Sequence, residues 1–245
     1  MDTSAELDAK ISEAEAQAEA LRVQKAIELR VSSVPTEVTC VIPFYRAWLT
    51  LPRVLFRLEK GAQDVPMDLV ICDNSSDDPI RDAVYGPRFA PYMQARGFRR
   101  VTVLDPVPQT GPQDFERLEG KPCGPTEAAY RNMIFMWSKL LLSVETEFVL
   151  FVDADVEMPV GGVRLLLERM KADPKLGELG LQYDWDVDHV EQGCTMARRV
   201  VFKDMPWRLD GCPCRFVTRW LRAHGWKAEH VDPRAMRATH LKNEM

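Results

Sequence analysis

Five apolar residues, Phe148-Val149-Leu150-Phe151-Val152, run without a break into two aspartates one residue apart, Asp153-Ala154-Asp155. An uninterrupted Val, Leu and Phe run of this length predicts a strand covered on both faces, as inside a parallel sheet. Such a strand needs helices above and below it, which points to a layered α/β fold. In open α/β sheets the ligand sits just beyond the carboxyl ends of the strands, where Asp153 and Asp155 fall. Two carboxylates this close repel each other, so a cation is their natural partner. Oxygen ligands suit a hard divalent ion such as Mg²⁺ or Mn²⁺, which also grips phosphate oxygens. The competing reading makes Asp155 the cap of the helix that follows.

The chain has 245 residues, enough for one substantial core with an appendage. A net charge of −5 gives no general basic footprint, which argues against bulk binding to nucleic acid or anionic membranes. A local patch built from Arg198, Arg199, Arg215, Arg219 and Arg222 stays open. No apolar run approaches the roughly 18 residues of a membrane helix. The N-terminus is acidic and Ala-rich without a signal-peptide core, so the expected location is the cytoplasm. Cys40 and Cys72 fall on predicted strands and are expected to be reduced and buried. Cys212-Pro213-Cys214 lacks the second Cys/His pair that a zinc site needs.

Two regions are expected: an N-terminal helix over residues 1–33 and an α/β domain over 34–245. Leu7, Ile11, Ala14, Ala18 and Leu21 follow the alternating four and three step of a coiled coil. A lone Ala-rich helix is marginal, so it either pairs with another subunit or packs on its own domain, and a homo-oligomer through this helix is the preferred expectation. Strands are predicted at Val38 to Phe44, Met67 to Cys72, Arg100 to Leu104 and Phe148 to Val152, with later ones at Leu179 to Tyr183 and Lys227 to Val231. Helices are predicted between them at Leu49 to Lys60, Arg88 to Gly97, Thr126 to Val144 and Val160 to Lys171. Cys194 to Val201 reads as a strand running into a helix, and Cys214 to His224 as a helix closed by Gly225. The long loop over 105–125 reads as a site wall or lid.

Six stretches together resemble a family 2-type glycosyltransferase: VTCVIPFYR (38–46), DLVICDNSSDD (68–78), YRNM (130–133), FVLFVDADVEMP (148–159), GCTMARRVVF (193–202) and HGWKAEHVDPRAMRATH (224–240). The resemblance implies a GT-A fold, a Rossmann-like and mostly parallel sheet with flanking helices. It also implies a metal-dependent transferase that moves a sugar from a nucleoside-diphosphate sugar, UDP-linked by preference, to an unidentified acceptor hydroxyl. By the same resemblance Pro43, Tyr45, Asp73, Asn74, Arg131 and Asp153 meet the donor, with Asp73 on the base. Asp153, Asp155 and His240 hold Mn²⁺ or Mg²⁺, and an imidazole ligand leans the choice toward Mn²⁺.

The sequence departs from the family where it places a Glu-Asp pair at the start of the last long helix. Pro213 and Cys214 stand there, and neither can take a proton from the acceptor. Asp210 is the nearest candidate base, with Asp186, Asp188 and Glu191 as others; a retaining course needs no dedicated base. Trp185 and Trp207 are candidate sugar platforms. Two other functions remain open: a catalytically inactive nucleotide-sugar-binding module, and a nucleotidyltransferase. Phe44-Tyr45-Arg46-Ala47-Trp48 lacks the glycines a nucleotidyltransferase loop carries.

Overall fold

Strand β1 (Val38–Phe44), strand β2 (Met67–Asp73) and strand β4 (Phe148–Val152) are buried at every position; β4 is apolar throughout, while β1 also buries Thr39 and β2 buries Asp68 and Asp73. These come from a computed structural model that describes residues 36–45, 47–75, 84–106, 127–183, 188–207 and 212–241. The predicted N-terminal helix, the loop from 107 on, Thr126, Trp185, Asp186 and Asp210 lie outside the described residues.

Among the described residues the remaining elements are α1 (Leu51–Ala62), α2 (Phe89–Ala95), β3 (Phe98–Leu104), α3 (Glu127–Leu142), β5 (Val156–Glu157), α4 (Gly162–Ala172), β6 (Leu176–Gly180), β7 (Cys194–Arg198), a 3₁₀ turn (Arg199–Phe202), α5 (Pro213–Ala223), β8 (Lys227–His230) and β9 (Thr239–His240). The main sheet has seven strands in the order β3-β2-β1-β4-β7-β6-β8. Strands β3, β2, β1 and β4 run parallel, β7 is antiparallel to both neighbours, and β6 pairs parallel with β8. This is a mixed, mostly parallel α/β sheet with helices on both faces.

The period-2 alternation of the strands sorts their side chains into two cores. Cys40, Ile42, Leu69, Ile71, Leu150 and Val152 pack beneath α1 and α4, against Val54, Leu58, Val163 and Leu166. Val41, Val70, Val149 and Phe151 face the other way, onto Trp137 and Leu140 of α3 and Val217 and Leu221 of α5. Each fully buried Leu, Val or Phe contributes about 1.5–3 kcal/mol relative to exposure. The β1–β4 ladder ends at Val41 and Phe151, before Pro43, so the missing proline N–H breaks no rung there. No helix among the described residues is long and apolar enough to cross a membrane.

Two expectations are corrected. The strand predicted at Leu179 to Tyr183 begins and ends three residues earlier, at Leu176 and Gly180. Glycine and glutamate are poor strand formers, which hid Leu176-Gly177-Glu178, yet close neighbours favour glycines there. A Cβ at Gly177 would stand 2.9 Å from Trp226, and one at Gly180 would stand 2.6 Å from Val190. Asp155 does not cap a helix: strand β5 follows it, and α4 starts only at Gly162, after Gly161 with φ 76°.

Candidate functional site

The exits of β2, β1 and β4 lie side by side at one edge of the sheet, because these strands are adjacent and parallel. Strand spacing of about 4.8 Å puts the β2 and β4 exits roughly 10 Å apart. At the β2 exit Asp73 is buried, and its Oδ1 accepts the Ser75 backbone N–H at 2.7 Å. The Asn74 N–H donates to the Phe44 carbonyl at 2.9 Å, holding the β2 exit against Pro43-Phe44-Tyr45. Next to them the buried Thr50 hydroxyl, just before α1, donates to the Ala154 carbonyl at 2.7 Å. The first turn of α1 is thereby joined to the acidic turn.

The acidic turn owes its shape to the small β5–β9 ladder, which pairs Val156 with His240 and Glu157 with Thr239. The Leu241 N–H donates to the Asp155 carbonyl at 2.8 Å. This register brings His240 Nε2 to 2.9 Å from Asp155 Oδ2, across 85 residues of sequence. The Tyr183 ring meets the His240 ring edge-on at 5.6 Å. Asp153 leaves β4 with its N–H bonded to the Gly193 carbonyl at 2.9 Å. Its carboxylate fills the space where a side chain at residue 193 would go: a Cβ there would stand 2.4 Å from Asp153 Oδ2 and 2.4 Å from the Tyr183 hydroxyl.

Electrostatics at this edge favour an added positive charge. Burial, then Asp155, then Glu191 push Asp153 up to about 7, while His240 pulls the other way. Burial and the nearby Asp153 also raise Tyr183. Asp155 and His240 are each only partly exposed, with side chains 29% and 20% accessible, so solvent reaches the pair from one side.

Arg131 is exposed near the start of α3, and its neighbour Asn132 is buried. Asp188 bonds His189 Nδ1 at 3.0 Å and Arg215 at 3.1 Å, which holds its carboxyl below the usual range and makes it a poor base. Trp207 stacks on Phe202 at 6.0 Å and leans on Trp137, so its ring is engaged by the second core. Arg198, Arg199 and Arg222 of the supposed basic patch all donate to backbone carbonyls. Sequence reasoning missed Gly193, Tyr183 and Thr50. A glycine one residue before a strand whose partner ends in aspartate is the signal that could have found the first; the other two carry none.

No protein-family model and no curated protein matches the chain. Several solved structures do. A mannosyltransferase from Pyrobaculum calidifontis, PcManGT, solved with GDP-Man and Mn²⁺, aligns with a TM-score of 0.61 and 16% identity over 96% of this chain and 68% of its own. TarS 1-349 from S. aureus, solved with UDP-GlcNAc, aligns with a TM-score of 0.54 and 15% identity over 85% of this chain. The match spans 59% of that TarS chain, under two thirds of its length. Likeness at these identities speaks to architecture, and across most of its length this chain has the GT-A glycosyltransferase fold.

Proposed function

We propose that the protein is a metal-dependent glycosyltransferase that takes a sugar from a nucleoside-diphosphate sugar and passes it to an acceptor hydroxyl. The observation that carries this is the pairing of Asp155 with His240, 2.9 Å apart at the carboxyl edge of the sheet. Adjacent ligands of an octahedral ion, each about 2.1 Å from the metal, stand about 3 Å apart. The donor set of carboxylate and imidazole suits Mn²⁺ as well as Mg²⁺. Among the described residues no three His, Cys, Asp or Glu side chains close around one point to cage an ion.

Asp155 and His240 would hold the ion, and Asp153, which feels the charge of both, would add to the charge that draws it in. A bound cation offsets the charge that builds on the diphosphate as it leaves. Asp73 and Asn74, with Pro43 and Tyr45 beside them, would receive the nucleotide base and ribose, and Arg131 would reach the diphosphate with its forked donors. Asp210 is the candidate for taking the acceptor proton in an inverting transfer. PcManGT was solved with a GDP-sugar and TarS with a UDP-sugar, so both nucleotides belong in the trial.

A second reading, binding without transfer, is favoured by one observation: α5 opens on Cys212-Pro213-Cys214 with no acid in its first turn. The experiment that separates the two is a thermal-shift screen over UDP-, GDP- and TDP-sugars with and without Mn²⁺, followed by nucleotide release from each stabilising donor. Donor-specific stabilisation with slow nucleoside-diphosphate release supports transfer, and stabilisation without release supports the binding module. Asp155→Ala should lose the Mn²⁺-dependent stabilisation while keeping the fold. Stabilisation by UDP and Mn²⁺ that survives in Asp155→Ala removes the metal assignment.

A further inference from the structure

Cys212 sits immediately before the first residue of α5, and its carbonyl accepts the Phe216 N–H at 3.1 Å to open that helix. Its sulfur lies 3.6 Å from His189 Nε2, and Cys214 is close enough to act on it electrostatically. His189 is buried, and its Nδ1 meets Asp188 Oδ1 at 3.0 Å, so acid, imidazole and sulfur form a line. Cys212 and burial push the Cys214 thiol up. Both cysteines are free and partly exposed, whereas Cys40, Cys72 and Cys194 are free and buried.

The electrostatics follow the geometry. The neighbouring Cys214, against the opposition of burial and with the help of His189, holds Cys212 below the usual thiol range. Burial lowers His189, but its bonds to Cys212 and Asp188 outweigh that and leave it raised. A thiol held low with an imidazole against its sulfur is the arrangement that makes a cysteine reactive. Burial raises all three remaining described thiols, Cys40, Cys72 and Cys194, which are therefore inert. A partly exposed thiol held low, two residues from a second partly exposed thiol, has the layout of a peroxide-sensing pair.

We propose that Cys212 and Cys214 form a hydroperoxide-reactive site, with Cys212 the attacking thiolate held by His189 and Asp188, and Cys214 the resolving thiol. The Cys212 sulfur attacks the terminal peroxide oxygen and the O–O bond breaks. The sulfur gives up two electrons to become a sulfenic acid, and the departing alkoxide or hydroxide takes a proton to leave as alcohol or water. The Cys214 sulfur then displaces the sulfenic oxygen; the S–S bond forms, and the oxygen leaves as water with the Cys214 proton. Overall two thiols and one hydroperoxide give one disulfide, one alcohol or water, and one further water.

The full chain should be alkylated with iodoacetamide across pH 4 to 10 and read peptide by peptide by mass spectrometry. Cys212 should react with a midpoint at least two pH units below the ordinary thiol value of about 8.5. A Cys212 profile centred near the ordinary value overturns the proposal. Addition of one equivalent of H₂O₂ should then link Cys212 to Cys214. In Cys214→Ser the reaction should stop at a sulfenic acid that a dimedone-type probe traps on Cys212. Peroxide that leaves Cys212 reduced, or that links it to Cys123 instead, overturns the proposal as well. His189→Ala should raise the midpoint, and an unmoved midpoint in a folded variant removes the role given to that imidazole. Should His189→Ala fail to fold, the unmodified chain still decides the matter.

Discussion

Asp153 and Glu178 are both acids that burial holds to about 7, yet their neighbours act in opposite senses. Around Glu178 the groups help the anion: Thr218 Oγ1 and Gln192 Nε2 each donate at 2.7 Å, and Arg222 and His189 add positive charge. Around Asp153 the carboxylates of Asp155 and Glu191 oppose ionisation, while His240 favours it. The cost at Glu178 is desolvation, which a neutral amide would avoid. The cost at Asp153 includes a repulsion that an added cation relieves. A raised carboxyl therefore signals ligand binding when the charges beside it are hostile, and internal architecture when they are kind.

The largest effect should come from neutralising each acid in turn. Asp153→Asn should weaken Mn²⁺-dependent binding of UDP or GDP by about 10–100-fold, on the scale of losing the close support of a metal site. Glu178→Gln should leave that affinity unchanged. Titration calorimetry with and without Mn²⁺ reads both, and equal losses would erase the distinction between the two acids.

Stability against pH sharpens the same contrast. Between its ordinary value of 4.5 and the folded value of about 7, Glu178 binds more protons folded than unfolded, so stability drains away as pH rises through that window. At about 1.4 kcal/mol per pH unit the loss is about 3 kcal/mol, complete above pH 7 and absent below pH 4.5. Glu178→Gln should therefore be more stable than the unmodified chain at pH 8 by up to about that amount, and no more stable at pH 4. Either amide can turn to answer Gln192, and the Thr218 hydroxyl can rotate. Urea unfolding at the two pH values checks this, and a gain that does not change with pH would refute the assignment.

Close packing supplies the next comparison. A Cβ at Gly193 would collide with Asp153 and Tyr183, and one at Gly180 would collide with Val190 and with Thr195 Oγ1 at 2.7 Å. Both alanine variants should lose about 1–3 kcal/mol of stability, the usual cost of overpacking. Gly193→Ala should also weaken Mn²⁺-dependent nucleotide binding, because Asp153 must move, whereas Gly180→Ala should not.

What the sequence disclosed follows physical lines. Phe148 to Val152 announced a strand buried on both faces because nothing polar interrupts it, and Val38 to Phe44 did so through its β-branched run, with Thr39 as the one polar residue. The acidic turn was legible because two aspartates end a buried strand. The Asp155–His240 contact was expected from the resemblance, not from spacing, since a two-residue ladder formed across more than 80 positions leaves no local periodicity. Glu178 went unnoticed because Leu176-Gly177-Glu178-Leu179-Gly180 has weak strand propensity and is held by pairing to β7 and β8. Gly193 and Thr50 matter through single close contacts, which composition does not record.

The smallest effect tests whether the acidic turn depends on its backbone as well as its charge. Thr50 is fully buried, and its hydroxyl reaches the Ala154 carbonyl between the two aspartates. Valine keeps the volume and removes the donor, leaving that carbonyl without this bond at a cost of about 1–2 kcal/mol. Thr218→Val does the same beside Glu178, taking one of its donors and the acceptor of the Val190 N–H. Both variants should lose comparable stability, measured by urea unfolding. Only Thr50→Val should also weaken Mn²⁺-dependent nucleotide affinity, by a few-fold, because the loosened carbonyl lies in the loop that carries Asp153 and Asp155. If Thr218→Val lowers that affinity as much, the two acids belong to one coupled unit, and the division between a binding edge and an internal network fails.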